Sequence, residues 1–175
     1  IQGMDLVMRK ILMNPGQFNY SVFKKRILAS ASDARAGGVD EKYIAPVELG
    51  VKRLDEYIET MKGWTGKFMF GQVLAGATPF RKAIYMLAIA WMHLWSLAVA
   101  FPKMKSFTGD LKDTELKKFL AENSEAAFYY SRVLTARFFI TEEFPPFFGM
   151  MDALSGDEWT VLEAGEETFP GTVEL

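Results

Sequence analysis

The sequence contains no cysteine, so a disulfide framework, a thiolate metal site and a cysteine nucleophile are all excluded. That absence fits a reducing compartment, and a cytoplasmic location is the expectation. Histidine is nearly absent as well: His93 is the single one in 175 residues. One histidine cannot supply the paired Glu-x-x-His ligands that a di-iron bundle needs. Beyond Arg137 there is no Lys, Arg or His, while nine acidic residues follow, so residues 1–137 carry about +7 and residues 138–175 about −9. The preferred reading has the acidic end solvated or lying against the basic surface of its own domain. Clusters of Lys and Arg interleaved with aromatics are missing, which argues against nucleic-acid binding. The opening IQGMDLVMRK lacks an initiator Met and the pattern of a signal peptide. It reads as the continuation of a longer polypeptide.

What is present is helical periodicity. Met4, Val7, Met8, Ile11 and Leu12 form one apolar stripe that Asn14-Pro15-Gly16 ends. Phe18, Val22, Ile27, Leu28 and Ala31 predict a second helix closed by Gly37-Gly38. Ile44, Val47, Val51, Leu54, Ile58 and Met61 alternate three and four residues apart, the seam of a helix packed nearly antiparallel to a neighbour. The four glycines from Gly63 to Gly76 interrupt or weaken the helix there, and Thr78-Pro79 offers an N-cap followed by Pro at N1; the alternative is an earlier start near Gly71 with Pro79 as a kink.

Ala83 to Phe101 holds no Asp, Glu, Lys or Arg. As a helix it is about 28 Å long, close to a bilayer core. Yet Ala recurs in it, His93 and Ser96 interrupt it, and basic residues flank both ends, so a central core helix is preferred over a membrane span. Phe101-Pro102 is expected to close it, and Trp91 to lie in the core. After a short amphipathic piece, SEAAFYYSRVLTARFFITEEF predicts a helix with Phe128, Val133, Leu134, Phe138 and Phe139 inward, ended or kinked at Pro145-Pro146. FFGMMDALSG reads as one further helical stretch. The remainder is an irregular tail pinned by Trp159 and Phe169.

A search for chemistry returns no catalytic, cofactor-binding or metal-ligating candidate. His93 lies on the most apolar helix and reads as a partly buried side chain satisfied by a carbonyl or hydroxyl. The glycines from Gly63 to Gly76 follow no strand and lack the Lys-Ser/Thr ending of a phosphate loop. Glu142-Glu143 and Glu166-Glu167 are adjacent pairs that point to different sides of a helix and form no acid/base dyad.

Three stretches together carry a resemblance. Ile1-Gln2-Gly3-Met4-Asp5-Leu6-Val7-Met8-Arg9-Lys10 resembles the Ile-Gln-Ala-x-Asp-Leu-x-x-Arg-Lys run that follows the Tyr-Glu-Gly-Thr-Asn-Gly loop of bacterial acyl-CoA dehydrogenases carrying an extra helical domain, the 3-methylmercaptopropionyl-CoA dehydrogenase-like group. Ala75-Gly76-Ala77, Trp91 and Ala136-Arg137-Phe138-Phe139 are similar to segments of that extra domain, with Phe144-Pro145-Pro146 where Leu-Pro-Glu is usual. The resemblance implies a flavoprotein parent of fatty acid metabolism that oxidises an acyl-CoA with FAD. Its catalytic Glu and flavin-neighbouring Thr would precede residue 1, so neither catalytic residues nor FAD are expected on this segment. The implied partners are the catalytic domains of the same polypeptide, further copies in a homo-oligomer, and the acyl-CoA through the parent enzyme.

The expected architecture is all-α: an up-and-down bundle of about four main helices preceded by one leading helix. Residues 1–16 are read as the terminal helix of the preceding domain, 17–155 as the bundle, and 156–175 as an irregular acidic tail. A non-catalytic protein-interaction module is the alternative, and a lipid-associated bundle a more distant one.

Overall fold

A computed structural model describes residues 2–156 and 158–168. Helix α1 (Gln2–Asp5) runs directly into a π-helical segment, Leu6–Leu12. Then follow α2 (Phe18–Ala36), α3 (Glu41–Gly66), α4 (Phe70–Ala75), α5 (Ala77–Thr108), α6 (Asp113–Glu122), α7 (Ser124–Phe138) and α8 (Pro146–Leu154). Among the described residues there is no strand. The main helices α2, α3, α5 and α7 run alternately up and down. Tyr20 and Lys24 of α2 meet Asp55 of α3, Gly50 of α3 meets Leu87 of α5, and Lys103 of α5 meets Tyr129 of α7. The all-α bundle expected from the sequence is therefore the observed fold.

The seam of α3 is buried along its whole length, from Ile44 through Val47, Val51, Leu54 and Ile58 to Met61. Asp40 starts this helix by accepting a hydrogen bond from the Lys42 amide at 3.0 Å, satisfying one of the orphan donors of the first turn. Gly50 sits where α3 comes closest to its neighbours: a Cβ there would lie 2.8 Å from Leu87 Cδ1 and 3.0 Å from Phe144 Cζ. Polar ties fix α3 to α2. The Tyr20 hydroxyl donates to Asp55 Oδ1 at 2.8 Å and Lys24 Nζ to Asp55 Oδ2 at 2.5 Å.

Several expectations are corrected. Proline 102 does not close α5, which continues to Thr108. Its missing N–H frees the carbonyl of Ala98, and there the end of α2 comes close, a Cβ on Gly37 lying 3.5 Å from that oxygen. Thr78 is not the N-cap; α5 starts at Ala77 after Gly76, which leaves Pro79 in the first turn, where its absent N–H had no helical partner anyway. Of the stripe expected on α2, Ile27 and Ala31 are buried, joined by Tyr20 and Ala34, whereas Phe18, Val22 and Leu28 are exposed. Helix α7 likewise turns Ala126, Val133 and Ala136 inward and leaves Phe128, Leu134 and Phe138 in solvent. Small inner residues let each of these helices lie close against α5, and that close approach decides which face goes in. Trp91 is half-buried rather than enclosed.

Pro145 is accommodated by a widened turn. Phe139–Glu143 is π-helical, closed by the Phe144 amide donating to the Phe139 carbonyl at 2.9 Å, so the chain changes direction just before the proline pair. Phe144 and Phe147 then stack 5.0 Å apart, both fully buried. Beyond α8, Trp159 pins the following segment edge-on to Trp64 at 5.3 Å. Phe169 lies outside the described residues.

The leading helix finds a seat within the chain. Val7 and Ile11 are buried, and Gly3 packs so tightly over the start of α5 that a Cβ would stand 3.2 Å from the Ala77 carbonyl oxygen. Only part of its stripe, Met4 above all, remains exposed.

Candidate docking surface

No constellation of catalytic groups is assembled among the described residues, nor any group of three acidic, His or Cys side chains able to hold a metal ion. His93 is half-buried on α5, its ring stacked on Phe139 with centroids 4.5 Å apart. Burial, and then the positive charge of Arg132, hold its pKa below the ordinary histidine value. Stacking, not the carbonyl or hydroxyl expected from sequence, is what the ring meets among the described residues. Glu142 and Glu143 are both exposed. Gly63 and Gly66 belong to α3, Gly71 to α4, and Gly76 to the junction before α5, so they build no common loop.

The residues of the resembling segments are structural. Arg137 Nε donates to the Tyr43 hydroxyl at 2.6 Å and its guanidinium lies over the Tyr43 ring, joining α7 to the start of α3. Gly76 is buried against the Tyr57 hydroxyl, which a Cβ would strike. That hydroxyl is itself buried with no hydrogen-bond partner among the described residues, and burial pushes its pKa up. Trp91 Nε1 donates to Ser30 Oγ at 2.9 Å, with Phe23 edge-on to its ring.

What remains open is apolar surface. Helix α5 has the length and composition to cross a membrane, with a mean hydropathy of 1.7 over its most apolar window, yet only 28% of that window is buried. The expected central core helix is thus enclosed on one face alone. Tyr85, Ile89, Met92, Trp95 and Val99 stand out on the other, Trp95 at 54% exposure. Beside them, between α5 and α7, lies a hollow of about 360 Å³ lined by Met92, Trp95, Val99, Phe128 and Arg132. Between α5 and α2 a second, of about 280 Å³, is bordered by Arg26 and Asp33. Charged rims on α2 and α7 fit a protein-facing groove better than a lipid-facing one. A separate apolar cluster caps one end of the bundle, where Phe68, at 82% exposure, Met69 and Phe70 join α3 to α4.

Residues 23–164 match the family described as acetyl-CoA dehydrogenase C-terminal like. The chain belongs to that family. No curated protein and no solved structure matches the chain. For this acetyl-CoA dehydrogenase C-terminal-like chain, the matched span runs from within the second turn of α2 to just past the turn that follows Trp159, and so takes in nearly all of the bundle. The hollow beside α5 does not fit FAD. A flavin dinucleotide needs several donors converging on its pyrophosphate, whereas the hollow beside α5 offers one cation, Arg132, on an apolar wall.

The sequence reading found neither the exposed face of α5 nor its rim of Arg26, Asp33 and Arg132. A signal was there: Tyr85, Ile89, Met92, Ser96 and Val99 are spaced four and three apart, a second seam hidden inside a uniformly apolar run.

Proposed function

We propose that this chain is the non-catalytic C-terminal part of an FAD-dependent acyl-CoA dehydrogenase of fatty acid metabolism in the cytoplasm. There it serves as a structural and assembly domain. The α,β-dehydrogenation of the acyl-CoA belongs to the catalytic domains of the same polypeptide, and residues 1–16 are the helix through which those domains join the bundle. The observation that carries the reading is the family match over residues 23–164, with the similarity of Ile1 to Lys10 to the run that follows the active-site loop in support. The end of the bundle where α1 sits on α5, close to the exposed Phe68 to Phe70 turn, is the natural seat for those domains.

Two measurements test this. The coding region upstream of Ile1 should specify catalytic domains ending in a Glu-Gly-Thr run; a short upstream region without one overturns the reading in favour of a free-standing interaction module. The purified 175-residue chain, incubated with FAD and desalted, should retain no flavin absorbance near about 450 nm. A stoichiometric yellow complex would place cofactor binding on the chain itself and sink the non-catalytic assignment.

A further inference from the structure

Helix α5 carries two apolar seams on opposite faces. The inner one, Phe80, Ala83, Leu87, Ala90, Leu94 and Leu97, is entirely buried. The outer one, Tyr85, Ile89, Met92, Ser96 and Val99, has the four-three spacing with which one helix receives another, and its four large members are 42% to 52% exposed. On its α2 flank stand Arg26 and Asp33, two helical turns apart, opposite in sign, and in no ion pair among the described residues.

The register of these charges against the seam identifies the occupant. Helices α2 and α5 run parallel with a constant offset of 61 residues, set by the Trp91 to Ser30 hydrogen bond and kept by the meetings of Phe23 with Ile84 and Gly37 with Ala98. Arg26 is therefore level with Leu87 and Asp33 with Leu94, and the point midway between them falls at Ala90 and Trp91. The outer seam has its own centre at the same level, since Ile89 and Met92, and Tyr85 and Ser96, lie symmetrically about it. A two-fold axis crossing α5 at right angles there satisfies both patterns at once. It sets α5 antiparallel to its copy, brings Ile89 onto the second copy's Met92, and places each Arg26 opposite the other Asp33. Tyr85 of the second copy arrives beside Ser96, at the mouth of the hollow of about 360 Å³ between α5 and α7. Sliding the axis by half a heptad would part each charge pair by about 10 Å.

We propose that the outer face of α5 is a self-association surface, in which two copies of this chain pack α5 antiparallel about a two-fold axis at Ala90–Trp91, flanked by reciprocal Arg26–Asp33 pairs. Such an interface is isologous, each patch being its own complement. Five half-exposed side chains contribute about 500 Å² per copy, and the α2 and α7 rims bring this toward the roughly 800 Å² per partner of a stable interface.

Sedimentation velocity of the 175-residue chain over about 1 to 100 µM should show a species of twice the 19.8 kDa protomer mass. Arg26→Asp alone should weaken association by at least about tenfold, and adding Asp33→Arg should restore it. Far-UV circular dichroism checks that each variant is folded. Because the chain has no cysteine, single introduced thiols report the geometry. With a short bismaleimide, Met92→Cys should cross-link to its copy, the two sites being about 5 Å apart along the helix, whereas Val99→Cys, displaced by about 25 Å, should not. A chain that stays monomeric throughout overturns the proposal and leaves the seam to another polypeptide. Equal cross-linking at both positions, or a double charge swap that fails to restore association, overturns it too.

Discussion

Replacing Gly50 by alanine sets two effects of similar size against each other. In the middle of a helix the exchange gains about 0.5 to 1 kcal/mol, because alanine leaves the unfolded chain less conformational freedom and favours helical backbone. Against this, the new methyl would stand 2.8 Å from Leu87 Cδ1 and 3.0 Å from Phe144 Cζ, with Phe147 Cε1 at 3.5 Å. Leu87 can swing its terminal methyl aside, but Phe144 is held between Phe147, stacked at 5.0 Å, and Phe148, edge-on at 5.5 Å. Overpacking of that kind costs about 1 to 3 kcal/mol. The net expectation is destabilisation by about 1 kcal/mol. Gly63 is the internal control: it lies in the same helix, exposed, with nothing within 4 Å of its Cβ position, so Gly63→Ala should stabilise by about 0.5 to 1 kcal/mol. Urea unfolding followed by far-UV circular dichroism and tryptophan fluorescence, run on both variants at one low protein concentration, gives the difference directly. It should be about 1 to 3 kcal/mol, and two variants stabilised alike would refute the close approach of α3 to α5 and α8.

Trp91→Ala should cost about 2 to 3 kcal/mol, less than for an enclosed tryptophan because the ring is half-buried; Trp91→Phe, which keeps a ring but loses the N–H that donates to Ser30, should cost about 1 kcal/mol, and a neutral Trp91→Phe would remove that bond. Val7→Ala should lower stability by about 1 to 2 kcal/mol in chemical unfolding, and a neutral result would show that the leading helix is not seated on α5 in solution. His93 binds its proton less readily folded than unfolded, so stability rises with pH through the window below its ordinary value of 6.5 and falls on acidification. The melting temperature of the wild type should therefore drop more than that of His93→Gln between about pH 7.5 and pH 5, and parallel curves would contradict the burial of the ring. Asp5, Asp40 and Glu41, whose pKa values are held down by Arg9, the Lys42 amide and Arg35 respectively, lose their stabilising ionisation only below that window.

How far the sequence led depends on the kind of residue in each helix. In α3 large aliphatics recur at regular spacing between charged residues, so the buried face could be named residue by residue. In α2 and α7 Ile27, Ala31 and Val133 could be named, but the other inward positions include Ala34, Ala126 and Ala136, too small to mark a seam, while Phe18, Phe128 and Phe138 draw the eye to the wrong face. Hydrophobicity says that a phenylalanine gains from burial; it does not say that the neighbouring helix must come close enough to need alanine there. In α5 the run from Ala83 to Phe101 has no polar face to set a phase, so its two opposed seams were read as one core. The continuation past Pro102 is equally illegible, because a proline after an apolar run reads as a helix end, and the neighbour it meets there, the end of α2, is 61 residues away in sequence. The rim of Arg26 and Asp33 depends on that same parallel register, which only the folded arrangement supplies.

The break at Ala75-Gly76-Ala77 has a mechanical consequence. Three elements bear on it: α1 through Gly3 on the Ala77 carbonyl, α3 through the Tyr57 hydroxyl under Gly76, and α8 through Leu154 beside the same glycine. It acts as a common bearing. From this point packing runs through the Tyr57 ring to Trp64, near the C-terminal end of α3, which holds Trp159, and so reaches the segment that begins the acidic end of the chain. The first described residues and the last are thereby joined by one unbroken line of packing, although more than 150 positions of sequence separate them.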